Sequence, residues 1–195
     1  MTLDEVLVRR VAVWGLGAEG LAFAALARGR GVEPVLVDDR PEEAAERVAA
    51  SVGRMGPVLA PGAVDWSTVD VVVRSPGVSR YRPELADAES AGTTVTTAMA
   101  LWLEDHADAP VLAVTGTKGK STTAALAAAI LEADGRRVEL VGNIGVPVLD
   151  TYGRPAPDVF VVEVSSYQAA DVTRSPGVVV LTSLCLLYTS DAADE

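Results

Sequence analysis

The sequence predicts an α/β fold: a Rossmann-like N-terminal domain with a parallel sheet, followed by a truncated α/β domain of the P-loop type. Two features predict the class. Short Val-rich runs alternate with Ala- and Leu-rich stretches of helical period, the pattern of a parallel sheet covered by helices. Both halves also open alike, with a strand running into a Gly-rich turn and a helix: VAVWGLGAEG at 11–20 and VLAVTGTKGKST at 111–122. With 195 residues, 49% of them apolar, the chain is long enough for one large domain or two small ones with buried cores.

The elements follow in order. The strand at 11–14 leads through GLGAEG into an apolar helix ending near Arg28, and PVLVDD at 34–39 is the next strand, which completes a βαβ unit. A helix is expected at 41–50, a strand at 70–74, a turn at Ser75-Pro76-Gly77 and a helix from Pro83 to Ala91. A short strand and helix then end near His106. HADAP at 106–110 has linker composition, so the domains are placed at 1–108 and 109–184. The second domain has a strand at 111–115, a long Ala-rich helix at 120–134, a turn at Asp134-Gly135, and strands at 158–164 and 177–182. These strands are expected to be buried on both faces. Trp14, Trp66, Trp102 and Phe23 are read as packing residues, and His106 as lying at a helix end or on the linker surface.

Composition narrows the function. A net charge of -11 opposes nucleic-acid or anionic-membrane partners, because phosphates are repelled and few counterions are released. No apolar run approaches the ~20 residues that span a bilayer, and no leader pattern is present, so a cytoplasmic chain is expected. The single Cys185 makes no internal disulfide, and the single His106 builds neither a histidine metal cluster nor a catalytic triad. Of the 16 basic residues, the only two lysines are Lys118 and Lys120, both in the second Gly-rich turn.

That turn carries the strongest chemistry. A strand ending in Thr-Gly-x-x-Gly-Lys-Ser-Thr and running into a helix gathers backbone N–H groups around an anion at the positive end of the helix dipole. Gly116 and Gly119 free the turn, Lys120 reaches the β and γ phosphates, and the Ser121 hydroxyl suits Mg²⁺. The usual phosphate loop has its first glycine at position 114, however, where this chain has Val114. Glu163 closes an apolar strand at the same sheet edge, where one carboxylate beside phosphate oxygens makes a Mg²⁺ ligand.

The shifted loop, TGTKGKST at 115–122, resembles the ATP loop of the Mur ligase superfamily, which reads T-G-S/T-x-G-K-S/T-S/T. GLGAEG at 15–20, VDDR at 37–40, SPGV at 75–78, GNIG at 142–145 and EVSSYQ at 163–168 resemble stretches of its D-glutamate-adding branch, in the same order. The resemblance covers residues 8–184. It implies an ATP-dependent amide ligase of peptidoglycan precursor synthesis that joins D-glutamate to UDP-N-acetylmuramoyl-L-alanine through an acyl phosphate, with ATP and Mg²⁺ required. A monomer with small-molecule substrates is expected. L-Glutamate stays open as the amino acid, because the part of the family that reads it lies further along.

Carried onto this chain, the resemblance assigns ATP to Gly116, Thr117, Lys118, Gly119, Lys120, Ser121 and Thr122. It assigns catalysis to Lys120 and Glu163, and the metal to Ser121 and Glu163. The UDP-sugar falls to Ala18, Glu19, Asp39, Arg40, Ser75, Gly77 and Asn143. Ser165, Ser166 and Gln168 are expected to orient substrate. Two other classes compete. GLGAEG with Asp38 or Asp39 about 20 residues on also reads as the dinucleotide site of an NAD-dependent oxidoreductase. A nucleotide-binding module without ligase chemistry is the second. CLLYTSDAADE stands where the family has an acidic, His-containing stretch, so residues 185–195 are read as a non-native tail and the chain as an inactive N-terminal piece.

Overall fold

The computed structural model describes residues 1–184; the expectation for 185–195, Cys185 included, lies outside the described residues. The chain begins with α1 (Leu3–Leu7), closed by a capping box in which Thr2 and Glu5 satisfy each other's backbone amides. Then come β1 (Val11–Trp14), α2 (Ala18–Gly29), β2 (Val35–Val37), α3 (Pro41–Ser51), β3 (Val58–Leu59), β4 (Val71–Arg74), α4 (Pro83–Ser90), β5 (Thr94–Thr96) and α5 (Ala98–Asp105). The five strands form one parallel sheet in the order β3-β2-β1-β4-β5. β1 and β4 are buried along their whole length, so their continuous apolar runs reflect cover on both faces.

The second half contains β6 (Val111–Thr115), α6 (Lys120–Ala133), β7 (Val138–Gly142), β8 (Val159–Glu163), α7 (Ser166–Ala169) and β9 (Val178–Leu181). Its parallel sheet runs β7-β8-β6-β9. One strand, β7, is absent from the sequence reading: VELVG mixes a charge into a short run and lies half-exposed beside β8. The expected burial on both faces fails at β9, where Val178, Val179 and Leu181 are 54%, 49% and 52% exposed. Among the described residues, β9 has only β6 for a neighbour.

A continuous core crosses from one half to the other, with Leu3, Phe23, Met99 and Trp102 packed in one cluster with Ala113, Val141, Phe160 and Val162. Residues 106–110 are a tight connection between α5 and β6. There His106 caps α5, stacks on Trp102 at 4.2 Å and meets Phe160 edge-on. Trp102 donates its indole N–H to Thr151 Oγ1 at 2.9 Å, which pins α5 to the short helical turn Val148–Thr151. Trp14 is fully buried and stacks on Trp66. No helix among the described residues is long and apolar enough to cross a membrane.

Candidate functional site

The first sheet reverses its winding between β1 and β4, and ligands of open α/β sheets bind at the carboxyl ends of such a pair. Here the turn after β1 is built by close packing. Gly15 has φ +91°, and a Cβ there would lie 2.8 Å from Ser75 Cβ. A Cβ at Gly20 would run into the Gly15 carbonyl oxygen, so only glycine lets α2 sit directly on the turn. Ser75 Oγ donates to that same carbonyl at 2.5 Å and locks the two turns together.

Between these turns lies a cleft of about 510 Å³. Ala18, Glu19, Asp39, Arg40, Ser75, Gly77 and Asn143, named from sequence, all line it, Asn143 from the second half. Asp38 also lines the cleft but is buried. Its carboxylate accepts from Leu16 N–H at 2.8 Å and Arg40 N–H at 3.0 Å, tying β2 to the Gly-rich turn. Asp39 instead pairs with Arg82 at 2.9 Å, and the Arg82 guanidinium lies over the Trp14 ring. Arg40, largely exposed, pairs with Glu43. Sequence reading missed Arg47, which lines the same cleft and donates to the Leu16 carbonyl at 3.2 Å. Its spacing of seven from Arg40, two turns of α3, was the available signal.

In the second half, Val114 is fully buried within β6, paired with Glu163 on one side and Val180 on the other. The strand therefore continues past the place where a generic loop begins, and the turn opens at Gly116. Gly116 and Gly119 have φ of +135° and +83°, and Gly119 is the N-cap of α6. Lys120 Nζ folds over the loop and donates to the Gly116 and Thr117 carbonyls at 2.9 and 3.4 Å. Lys118, Ser121 and Thr122 are exposed at the loop and the first turn of α6. The segment after β9 braces the loop: Thr117 and Lys118 donate their N–H groups to Ser183 O and Oγ, and Thr182 Oγ1 donates to the Lys118 carbonyl at 2.6 Å. Thr182 and Ser183 had no sequence signal, since only the adjacency of β9 and β6 brings them there.

Glu163 ends β8, next to the loop strand, and is 1% exposed. Its Oε1 accepts from Asn143 Nδ2 at 2.9 Å, while Oε2 is buried with no hydrogen-bond partner among the described residues. A buried carboxylate oxygen without a donor is costly unless a cation meets it. GNIG sets this geometry. A Cβ at Gly142 would strike the Glu163 carbonyl, and Asn143 N–H donates to that carbonyl at 2.9 Å. Part of the Asn143 amide is thus engaged by Glu163, even as the residue lines the cleft. No cluster of three or more His, Cys, Asp or Glu suited to a metal occurs among the described residues. A cation at Glu163 would need its other oxygens from outside such a cluster, for example from a hydroxyl, phosphate or water, the ligand set Mg²⁺ favours.

A second cleft of about 770 Å³ continues from the first through Gly77 and Asn143, and Arg80, Ser165, Ser166 and Tyr167 line it. Ser165 and Gln168 form a capping box on α7, so both hold the helix in place, and Gln168 Nε2 also donates to Glu19. Burial pushes the Glu19 carboxyl above its usual range, against the opposing pull of the Gln168 amide and the Arg74 guanidinium.

Comparison with known proteins agrees with this geometry. Residues 9–97 match the model of the Mur ligase MurD-like N-terminal domain, and residues 114–185 match the Mur ligase middle domain. The chain is similar to the UDP-N-acetylmuramoyl-L-alanine--L-glutamate ligase of Micromonospora sp., 43% identical across 94% of this chain and 40% of that protein. It is also similar to the ligase of the same name from Xanthomonas euvesicatoria pv. vesicatoria, 41% identical across 90% of this chain and 39% of that protein. The chain thus spans about two-fifths of the length of these relatives. Among solved structures, UDP-N-acetylmuramate:L-alanyl-gamma-D-glutamyl-meso-diaminopimelate ligase from Neisseria meningitides aligns with a TM-score of 0.54 at 20% identity, over 94% of this chain and 64% of that one. UDP-N-acetylmuramate-alanine ligase MurC from Thermotoga maritima aligns with a TM-score of 0.54 at 18% identity, over 96% and 44%. At these identities the structures show the shared fold, and with two domain models matching in chain order, the chain belongs to the Mur ligase family.

Proposed function

We propose that this chain forms the substrate-binding and ATP-binding parts of an ATP-dependent ligase that joins glutamate to UDP-N-acetylmuramoyl-L-alanine in the cytoplasm. The observation that carries the reading is the link that Asn143 makes between the first cleft and the carboxylate beside the phosphate-loop strand. Asn143 lines the cleft of the first half and at the same time orients Glu163 beside the phosphate-loop strand. Residues 1–108 are assigned the UDP-sugar and residues 109–184 the ATP, in a monomer.

Arg40 and Arg47 are the cationic side chains lining the first cleft among the described residues, and they suit a diphosphate. Lys120 is placed to move from the loop carbonyls onto the β and γ phosphates, where its charge opposes the negative charge of the transferring group. Ser121 and Glu163 would hold Mg²⁺. That ion would supply positive charge against the phosphate groups. Ala18, Glu19, Ser75 and Gly77 line the same cleft and are assigned to the UDP-sugar. Motif resemblance points to D-glutamate, whereas the relatives are named L-glutamate ligases. The amino acid is therefore proposed as glutamate, and assays with each enantiomer decide its hand.

Calorimetric titration of the 195-residue chain tests the reading. UDP-N-acetylmuramoyl-L-alanine and Mg-ATP are both expected to bind, and NADH is not. NADH binding with no UDP-sugar affinity would overturn the proposal in favour of an oxidoreductase, and ATP binding alone would favour a regulatory module. Phosphate release is expected to need more than these residues, and turnover by the chain alone would place the whole reaction within them.

A further inference from the structure

Two polar ties join the first half to α7 and the residues after it; one ends on Glu19 of the first cleft, and the other runs through Arg74, which ligand binding as described above does not use. Arg74 ends β4 at 3% exposure. Its guanidinium donates to the Ser75 carbonyl at 3.2 Å and to the Val78 carbonyl, so it holds the turn that walls both clefts. The same guanidinium crosses to the other half and pairs with Asp171, just beyond α7. Arg80 reaches Asp171 at 3.6 Å and the Ala170 carbonyl at 3.3 Å. The second tie is Gln168, 1% exposed, which donates to Glu19 from the body of α7.

A buried ion pair is poor evidence for stability, since apolar residues of similar volume often hold a fold as well or better. Its direction carries the information here. α7 is a single turn of helix, clamped at its start by Ser165 and at its end by Asp171, whose N–H donates to the Gln168 carbonyl at 3.2 Å. Its cap residue follows Glu163 by two positions, and Val164 between them is buried, with its N–H donating to the Val114 carbonyl of the loop strand. The turn at 75–78 is thus linked through the Arg74 guanidinium to the residue just after α7, and α7 is linked along a short stretch of chain to the carboxylate beside the phosphate loop.

We propose that Arg74 is a positioning residue which, through Asp171, couples occupancy of the UDP-sugar cleft to the geometry of Glu163 at the ATP site. This rests on the assignment of the two sites under the proposed function. The coupling is reciprocal by linkage, so either ligand serves as the probe.

The test is titration of Mg-ATP into the 195-residue chain with and without saturating UDP-N-acetylmuramoyl-L-alanine. In the wild type the UDP-sugar is expected to raise ATP affinity about fivefold or more, the ordinary scale of such coupling. Asp171→Ala removes the tie and leaves the bonds from Arg74 to Ser75 and Val78. It is expected to cut the enhancement below about twofold while UDP-sugar affinity alone changes little. That variant strands a buried guanidinium, so the apolar pair Arg74→Met with Asp171→Leu is measured beside it. If the tie were merely structural, the apolar pair would restore both melting temperature and coupling. The expected result is that it restores melting temperature alone. Full coupling in either variant overturns the proposal, and so does a wild type that binds both ligands independently, which leaves the proposed function standing. A wild type that binds neither ligand overturns the proposed function and this inference with it.

Discussion

The Gly-rich turn after β1 and the one after β6 share a layout of strand, turn and helix, yet they are held by different elements. The first is held by its own helix and by the strand ends of β2 and β4. Gly20 lets α2 rest on the Gly15 carbonyl, Ser75 closes the gap from β4, and the Asp38 carboxylate holds the Leu16 amide. The second is held by the segment after β9, with Ser183 and Thr182 bonded to the loop and packed against Gly116, while the loop's own Lys120 lies across its carbonyls. The same strand–turn–helix unit thus makes a walled cleft where three turns converge, and a cationic loop where a neighbouring strand supplies the brace.

Removing charge from the second turn should give the largest effect. Lys120→Ala is expected to weaken ATP binding by about tenfold to a hundredfold, the scale of hydrogen bonds to charged groups. UDP-sugar binding and the denaturation midpoint should stay unchanged, because the Lys120 ammonium bonds to loop carbonyls among the described residues. Calorimetry with each ligand checks this, and an equal loss of both affinities would erase the contrast between the turns.

Adding one methyl to the first turn should act in the opposite sense. Gly20→Ala forces α2 off the Gly15 carbonyl and is expected to cost about 1–3 kcal/mol of stability, the usual range for overpacking. UDP-sugar affinity should fall with it while ATP binding persists. Urea denaturation together with calorimetry measures both. A variant as stable as the wild type would show that close packing does not hold this turn.

The smallest effects concern two carboxylates of the first half whose titration moves in opposite directions. Asp70, beside Arg10, is lowered to about 2 by hydrogen bonds from that residue. Its contribution to stability is therefore present above its unfolded value of 3.8 and lost as pH falls towards 2. Glu19 is raised by burial, so its contribution is present below the unfolded value of 4.5 and lost as pH rises through the folded one. Melting temperature against pH should lose part of its acid slope in Asp70→Asn. Glu19→Gln should gain stability at neutral pH, provided the Gln168 contact is kept. Unchanged profiles in both would sink the assignment.

Legibility from sequence tracked the distance over which each feature is decided. GLGAEG and TGTKGKST were readable because strand, turn and helix lie within about ten residues, and glycine at a positive φ leaves a local mark. The capping box of Thr2 and Glu5 was equally local, but α1 spans only five residues and was passed over. β7 was missed because a half-exposed strand interrupted by Glu139 lacks the continuous apolar run of its buried neighbours. Arg47 left a spacing signal on α3 that was not used. Arg74 and Asp171, 97 positions apart, left none, since neither residue type nor spacing anticipates a pair made across two sheets.

By itself the amino-acid sequence determined the parallel α/β class, the two Gly-rich turns, the placement of Lys120 and Ser121 at the head of a helix, and the candidate residues of the first cleft. Backbone sterics and hydrophobic period act over a few residues, and so they can be read from them. The tertiary structure alone decided that Asp38 holds the turn while Asp39 pairs with Arg82. It alone decided that Asn143 orients Glu163, and that Thr182 and Ser183 brace the phosphate loop. Those outcomes depend on strand order, and strand order is set by how two sheets and their helices bury a shared core rather than by any local run of residues.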